Sequence, residues 1–230
     1  NDYLGLFGCI SGSSSSVTNL GVEGGLIIAG TESVFLGGIS GQNGNFESGN
    51  GGTISNCYTT LSLSGGDVLG GICGSNYDGD ISGCHATGDI SGTQYVGGIC
   101  GGSSGDISNC YAAGSVSGRQ QVGGICGQNL HGSLSNCYAT GSVVGRQDSL
   151  LLGGICGDNN NLGTISDCYA TGSVTGDDSL GGLCGYNSSG TVTNCFWDTE
   201  TSGLATSAGG AGKTTVEMQT LSTFIDAGWD

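Results

Sequence analysis

Val96-Gly-Gly-Ile-Cys-Gly101, a short polar turn, and then Asp106-Ile-Ser-Asn-Cys-Tyr-Ala-Ala-Gly-Ser-Val-Ser-Gly118 decide the reading of this chain. The same string returns over 122–145 and 152–176 and, slightly degraded, over 69–92. Further copies start at Gly37 and Gly181, and a divergent one starts at Gly5. Counted from its Gly, the unit starts at 5, 37, 70, 97, 123, 153 and 181, in steps of 32, 33, 27, 26, 30 and 28 residues. Variation in length falls between the motifs, so the chain is about seven copies of one structural unit.

Each copy holds short runs such as Val-Gly-Gly-Ile and Ile-Ser-Asn-Cys-Tyr, too short for helices and broken by Gly and Asn. One copy cannot bury its apolar residues alone, whereas stacking copies at about 4.8 Å per rung aligns like residues into columns. Four apolar columns follow: Leu36, Leu69, Val96, Val122, Leu152 and Leu180; Ile39, Ile72, Ile99, Ile125, Ile155 and Leu183; Ile54, Ile81, Ile107, Leu134, Ile165 and Val192; and Leu63, Ile90, Val116, Val143 and Val174. Tyr58, Tyr111, Tyr138, Tyr169 and Phe196 form an aromatic column in which His85 is the exception. Asn recurs at 43, 76, 129, 159 and 187 and at 19, 56, 109, 136 and 194, as expected of ladders at turns. The expected fold is all-β, a β-solenoid of about seven coils with Cys, Tyr and Asn columns and a short C-terminal helix.

Gly5-Leu6-Phe7-Gly8 and Gly182-Leu183-Cys184-Gly185 match Gly-Leu-x-Gly, and the other copies read Gly-Ile-Cys-Gly or Gly-Ile-Ser-Gly. In this the chain resembles the GLUG motif family over roughly residues 4–203. The resemblance implies Gly-rich repeats of microbial secreted and cell-surface proteins, often adhesin-like. It implies a scaffold rather than a shared active site, and the regular Cys pair is a departure from it.

Of 230 residues 51 are Gly and none is Pro, while only 10% are charged and 36% are hydrophobic, so a folded chain is expected. The net charge is -16, with Arg119, Arg146 and Lys213 as the cations. That balance argues against nucleic acid and anionic membrane as partners. Divalent cations remain as charged ligands, and Asp78, Asp80, Asp158, Asp177 and Asp178 offer oxygen donors in loops for calcium. No other cofactor is indicated.

Twelve Cys without a CxxC pair point to disulfides in an oxidising, extracellular or cell-surface location. Pairing within each repeat joins Cys73 with Cys84, Cys100 with Cys110, Cys126 with Cys137, Cys156 with Cys168 and Cys184 with Cys195, leaving Cys9 and Cys57 in neighbouring coils. Pairing forward into the next repeat strands Cys9 and Cys195 at opposite ends, roughly 30 Å apart and beyond disulfide reach. The within-repeat scheme is therefore the expectation, and Ser40 fits it by standing where the first Cys of Cys57's own coil would be.

Residues 1–203 are expected to form the solenoid, with the divergent first repeat over 1–36, and 204–230 a tail with a capping helix. Thr214 with Glu217 fits a capping box, Met218, Leu221, Phe224 and Ile225 follow helical spacing, and Gly228 is a plausible stop. The chain opens inside a repeat-like segment, as a mature or trimmed product would. No apolar run reaches the 18 or so residues needed to span a membrane. His85 and His131 have no Cys or Ser at dyad spacing, the paired carboxylates sit in turns of differing sequence, and no catalytic residue is assigned. Asn187-Ser-Ser189 is a glycosylation sequon. The expected role is a non-enzymatic structural protein, an adhesive stalk or head-to-tail filament subunit that associates with itself or with surface proteins and glycans. The competing class is a carbohydrate-binding or carbohydrate-cleaving β-helix, which calls for a cleft lined by Trp, Tyr and carboxylates from consecutive coils.

Overall fold

Short runs separated by Gly and Asn can satisfy their backbone groups only by pairing with the next copy, and that is how the chain folds. The structure, a computed structural model, describes residues 2–30, 34–45, 47 and 50–229. In the coil that opens at Gln94–Gly97, strands Cys100–Ser103, Asp106–Ser108 and Tyr111–Ala112 follow in turn. Val116–Gly123 then closes the circuit and runs on as the opening strand of the next coil. Each strand pairs in parallel with its equivalent one coil later: Val96 with Val122, Cys100 with Cys126, Ile107 with Leu134 and Tyr111 with Tyr138. Among the described residues these ladders build four sheets, of eleven, seven, seven and eight strands, numbered first to fourth in the order of this circuit. The seven-stranded second and third sheets count seven coils, so the fold is the expected β-solenoid.

The corner between the third and fourth sheets shows why Asn recurs. Asn19, Asn56, Asn109, Asn136, Asp167 and Asn194 all hold φ between 51° and 56°. Gly83 takes the same corner with φ 61°. Asn and Asp tolerate the left-handed region better than other side chains, and Gly enters it freely. The other Asn column is different: Asn43, Asn76, Asn129 and Asn159 are buried, at the ends of second-sheet strands or just before them, and their amides bond from coil to coil. Asn43 Nδ2 donates to Asn76 Oδ1 at 2.9 Å, Asn129 Nδ2 to Asn159 Oδ1 at 2.8 Å, and Asn159 Nδ2 to Asn187 Oδ1 at 3.0 Å. Ser103 replaces Asn in one coil and still accepts from Asn76 at 3.1 Å.

The interior is divided in two. Ile39, Ile72, Ile99, Ile125 and Ile155 pack with Ile54, Ile81, Ile107, Leu134 and Ile165 and with both Cys columns in one cluster. Leu36, Leu69, Val96, Val122 and Leu152 pack with Leu63, Ile90, Val116, Val143 and Val174 in the other. The chain crosses between the clusters at paired glycines, and there the coil narrows to a waist. A Cβ on Gly98 would lie 2.5 Å from Ala112 Cβ and 2.1 Å from Gly124 O, so only Gly fits this crossing.

Past the last full coil, Thr206 O accepts from Gly182 N at 3.1 Å, and Ala208 N donates to Cys184 O at 2.9 Å. Ala211–Lys213 adds a final strand beside Phe196–Asp198, and Trp197 is buried with its Nε1 donating to Leu204 O at 3.0 Å. A short helix, α1 Thr199–Ser202, follows Phe196–Asp198, and among the described residues the tail holds two short helices instead of one, α2 Thr215–Met218 and α3 Leu221–Ile225. The expected capping box is present at α2, with Thr214 and Glu217 bonded reciprocally. Helical spacing runs on from α2 into α3, but the backbone turns at Gln219 and Thr220, where Thr220 Oγ1 donates back to Val216 O at 2.7 Å.

Candidate functional site

Stacking turns each repeated side chain into a line of identical groups, and the chemistry of this molecule lies in those lines. Cys73, Cys100, Cys126, Cys156 and Cys184 stand in register at the start of the second-sheet strands. Cys57, Cys84, Cys110, Cys137, Cys168 and Cys195 occupy the corner before the fourth sheet. There the backbone N–H of Cys57, Cys84, Cys137 and Cys168 each donates at 3.4 Å to the sulfur one coil later.

All eleven are buried in the same core cluster, so the two cysteines of a coil share one apolar compartment. Every cysteine is a free thiol in this structure. Burial above all, with the hydrogen bond to Cys73 next, pushes the Cys100 thiol well above the ordinary range. Burial does the same at Cys156 and Cys168, so these thiols are uncharged at neutral pH and poor nucleophiles. Cys9 stands outside both columns: it is exposed, and its register partner is Gln42, whereas Phe7 and Ser40 hold the positions that continue the Cys73 column.

The aromatic column stacks as the sequence requires. Tyr58 and His85, His85 and Tyr111, and Tyr138 and Tyr169 lie 5.1, 4.7 and 5.1 Å apart between centroids, with planes within 7°. His85 is thus a ring in a stack. His131 occupies an exposed turn with φ 66°. At the far end Phe224 and Trp229 of the tail meet Phe196 at 5.6 and 6.1 Å. The sequence did not single out Trp229 as part of this group, because its neighbours are brought to it by the tail's path.

The acids named as calcium donors are dispersed. Asp78 lies in an exposed turn and Asp80 on the third sheet, also exposed. Asp158 is buried on the second sheet, where one oxygen accepts from Gln121 Nε2 at 3.1 Å and Gln128 Nε2 at 3.0 Å while the other has no partner. Asp177 accepts from Ser149 N at 3.0 Å, and Asp178 from Ser179 N at 2.7 Å. Among the described residues no three His, Cys, Asp or Glu side chains converge as metal ligands. Arg119 meets Asp148 at 4.0 Å across exposed side chains, whereas Arg146 donates to Ser91. Asn187, the sequon residue, is half-buried, with Oδ1 accepting from Asn159 and Nδ2 donating to Gly190 O at 3.4 Å.

This combination of a glycine crossing, a paired Ile-Cys and a left-handed Asn corner recurs coil by coil, and the GLUG motif matches residues 65–91, 92–117, 118–144 and 148–175. Four of the coils are GLUG motifs. The coils flanking the GLUG stretch keep its register, with Ser40 aligned to Cys73 and Cys184 to Cys156. Over 59 residues the chain is 44% identical to a protein of Evansella cellulosilytica named as a Gly-rich membrane protein. That match covers 24% of this chain and 7% of the relative's length. No solved structure matches the chain. Among the described residues no helix is long and apolar enough to cross a membrane.

Proposed function

We propose that this GLUG-repeat chain is a non-enzymatic structural element of the cell surface or extracellular space, an adhesive stalk or the subunit of a head-to-tail filament. The observation that carries this reading is the difference between its two ends. The first coil supplies the outermost strand of every sheet, namely Asp2–Leu4, Phe7–Ile10, Ser16–Thr18, Gly21–Val22 and Leu26–Ile28. Their outer edges are unpaired among the described residues, and Leu6, Leu26 and Ile28 are 57%, 60% and 73% exposed. Unpaired edges beside exposed apolar side chains are receptive to another chain.

At the opposite end residues 204–213 cover the last coil, and the tail beyond them exposes Val216, Leu221 and Ile225. Two unlike ends, one with open strand edges and one covered by the tail, favour a heterologous contact, which propagates when it does not close. Disulfides within each coil would staple such a rod. All eleven column thiols share one compartment, which is compatible with this pairing and with pairing along a column alike. Pairing within coils uses all ten cysteines from Cys73 to Cys195, whereas pairing along the five-member column leaves one over.

Electron microscopy and light scattering of the purified chain test this reading. The expected result is concentration-dependent assembly that Leu26→Lys with Ile28→Lys abolishes. Monomers at high concentration, or assembly indifferent to that double substitution, would overturn it.

A further inference from the structure

Beside the aromatic column an open groove of about 530 Å³ runs along the corner between the third and fourth sheets. Asn109, Asn136 and Asp167, one from each of three consecutive coils, form one wall, and Tyr138, Tyr169 and Trp229 form the other wall and the end. The left-handed corner places the two Asn side chains outward, and both are exposed. Among the described residues no protein group hydrogen-bonds the side-chain amide of Asn109 or Asn136, nor the hydroxyls of Tyr111, Tyr138 or Tyr169, while the backbone N–H groups of both Asn donate along the sheet corner. The groove therefore presents a row of unused tyrosine hydroxyls beside the unused side-chain amides of Asn109 and Asn136, a row that ends at the Asp167 carboxylate, which accepts from Asn194 Nδ2 at 3.2 Å. Trp229 has its indole N–H committed to Asn194 O at 2.9 Å, so what it offers is apolar ring surface. Its plane is tilted 45° from Tyr169, turning it out of the stack.

We propose that this groove binds a neutral, extended glycan, a β-1,4-linked hexose chain running along the solenoid axis. Uncharged amides and phenols at regular intervals suit a ligand that carries hydroxyl groups at regular intervals, and a tilted indole suits the apolar face of a sugar ring. The Asp167 carboxylate and the net charge of -16 disfavour acidic polysaccharides. The rows are straight, because successive rings stay within 7° of parallel, so a ribbon-like glycan follows them and a coiled α-1,4-linked one leaves them. This inference stands apart from self-association, whose test substitutes Leu26 and Ile28 of the first coil, residues that do not line the groove.

The test is isothermal titration calorimetry of the intact chain with cellohexaose, maltohexaose and a galacturonate hexamer. Cellohexaose should bind, and the other two should bind at least tenfold more weakly. Asn136→Gly removes one amide while keeping the left-handed corner, as Gly83 does in its own coil, and should weaken cellohexaose binding about tenfold. Trp229→Ala should weaken it at least as much, and Thr175→Ala on the first sheet should leave it unchanged. No heat with cellohexaose, equal affinity for the acidic or coiled hexamer, or binding indifferent to both groove substitutions would overturn the assignment.

Discussion

Tyr111 and Tyr138 lie face to face, their ring centroids 5.0 Å apart and their planes within 6°, although 27 residues separate them in the chain. Their strands pair in register, so the contact reports the rise of one coil. Tyr138 also stacks on Tyr169, and Tyr138→Ala removes two ring contacts at once. The expected cost is about 1–3 kcal/mol, from roughly 0.5–1.5 kcal/mol per aromatic pair. Chemical denaturation measures it, and Thr140→Ala, exposed in the same coil, should stay within about 0.5 kcal/mol of the parent.

The waist makes a sharper prediction from two glycines four residues apart. Gly98→Ala places a Cβ 2.1 Å from Gly124 O and should destabilise by about 3 kcal/mol or more. Gly102→Ala meets nothing within 4 Å and should be close to neutral. Thermal melts of the two variants that coincide would contradict the two-compartment interior.

Peptide mapping without reduction, on protein recovered from an oxidising compartment, is expected to join Cys100 with Cys110 and Cys126 with Cys137. Each such link closes a short loop and should add a few kcal/mol. A Cys110 to Cys137 bond would replace staples within coils by staples between them, and a Cys84 to Cys100 bond would restore the forward scheme.

Buried thiols also set a pH dependence for the reduced chain. Burial raises Cys100, Cys156 and Cys168 in the folded state, while hydrogen bonds from Cys110 and Cys168 lower Cys137 and Cys195; the raised thiols set the sign, and the unfolded chain loses their protons first. Their contribution to stability is complete below the ordinary thiol value of about 8.5 and is lost as pH rises beyond it. Melting temperature should fall above that pH for the reduced protein and much less for the oxidised one. A fall of equal size in both forms would remove the thiols as its cause. In the native reduced state alkylation should reach Cys9 first, since it alone of the twelve is exposed.

Much of this architecture was legible because stacking converts sequence period directly into contact: Ile107 over Leu134 and Tyr111 over Tyr138 follow from alignment of copies alone. The waist was not legible, since the fit of Gly98 against Ala112 depends on how the two halves of one coil close on each other. Nor was the covering of the last coil, where Ser207 Oγ accepts from Cys184 N at 2.9 Å within a Gly, Ser and Thr segment that has no periodicity. The groove was missed for a related reason. Asn109, Asn136 and Tyr138 read as turn and stack, and only the path of the tail brings Trp229 beside them.

Nuclear Overhauser contacts between selectively labelled tyrosine rings test the central claim, the single-axis stacking of equivalent residues, most directly. Strong contacts are expected between Tyr111 and Tyr138 and between Tyr138 and Tyr169, with none between Tyr111 and Tyr169, which lie about twice as far apart. Absence of the first contact, or presence of the last, would contradict the stacked solenoid.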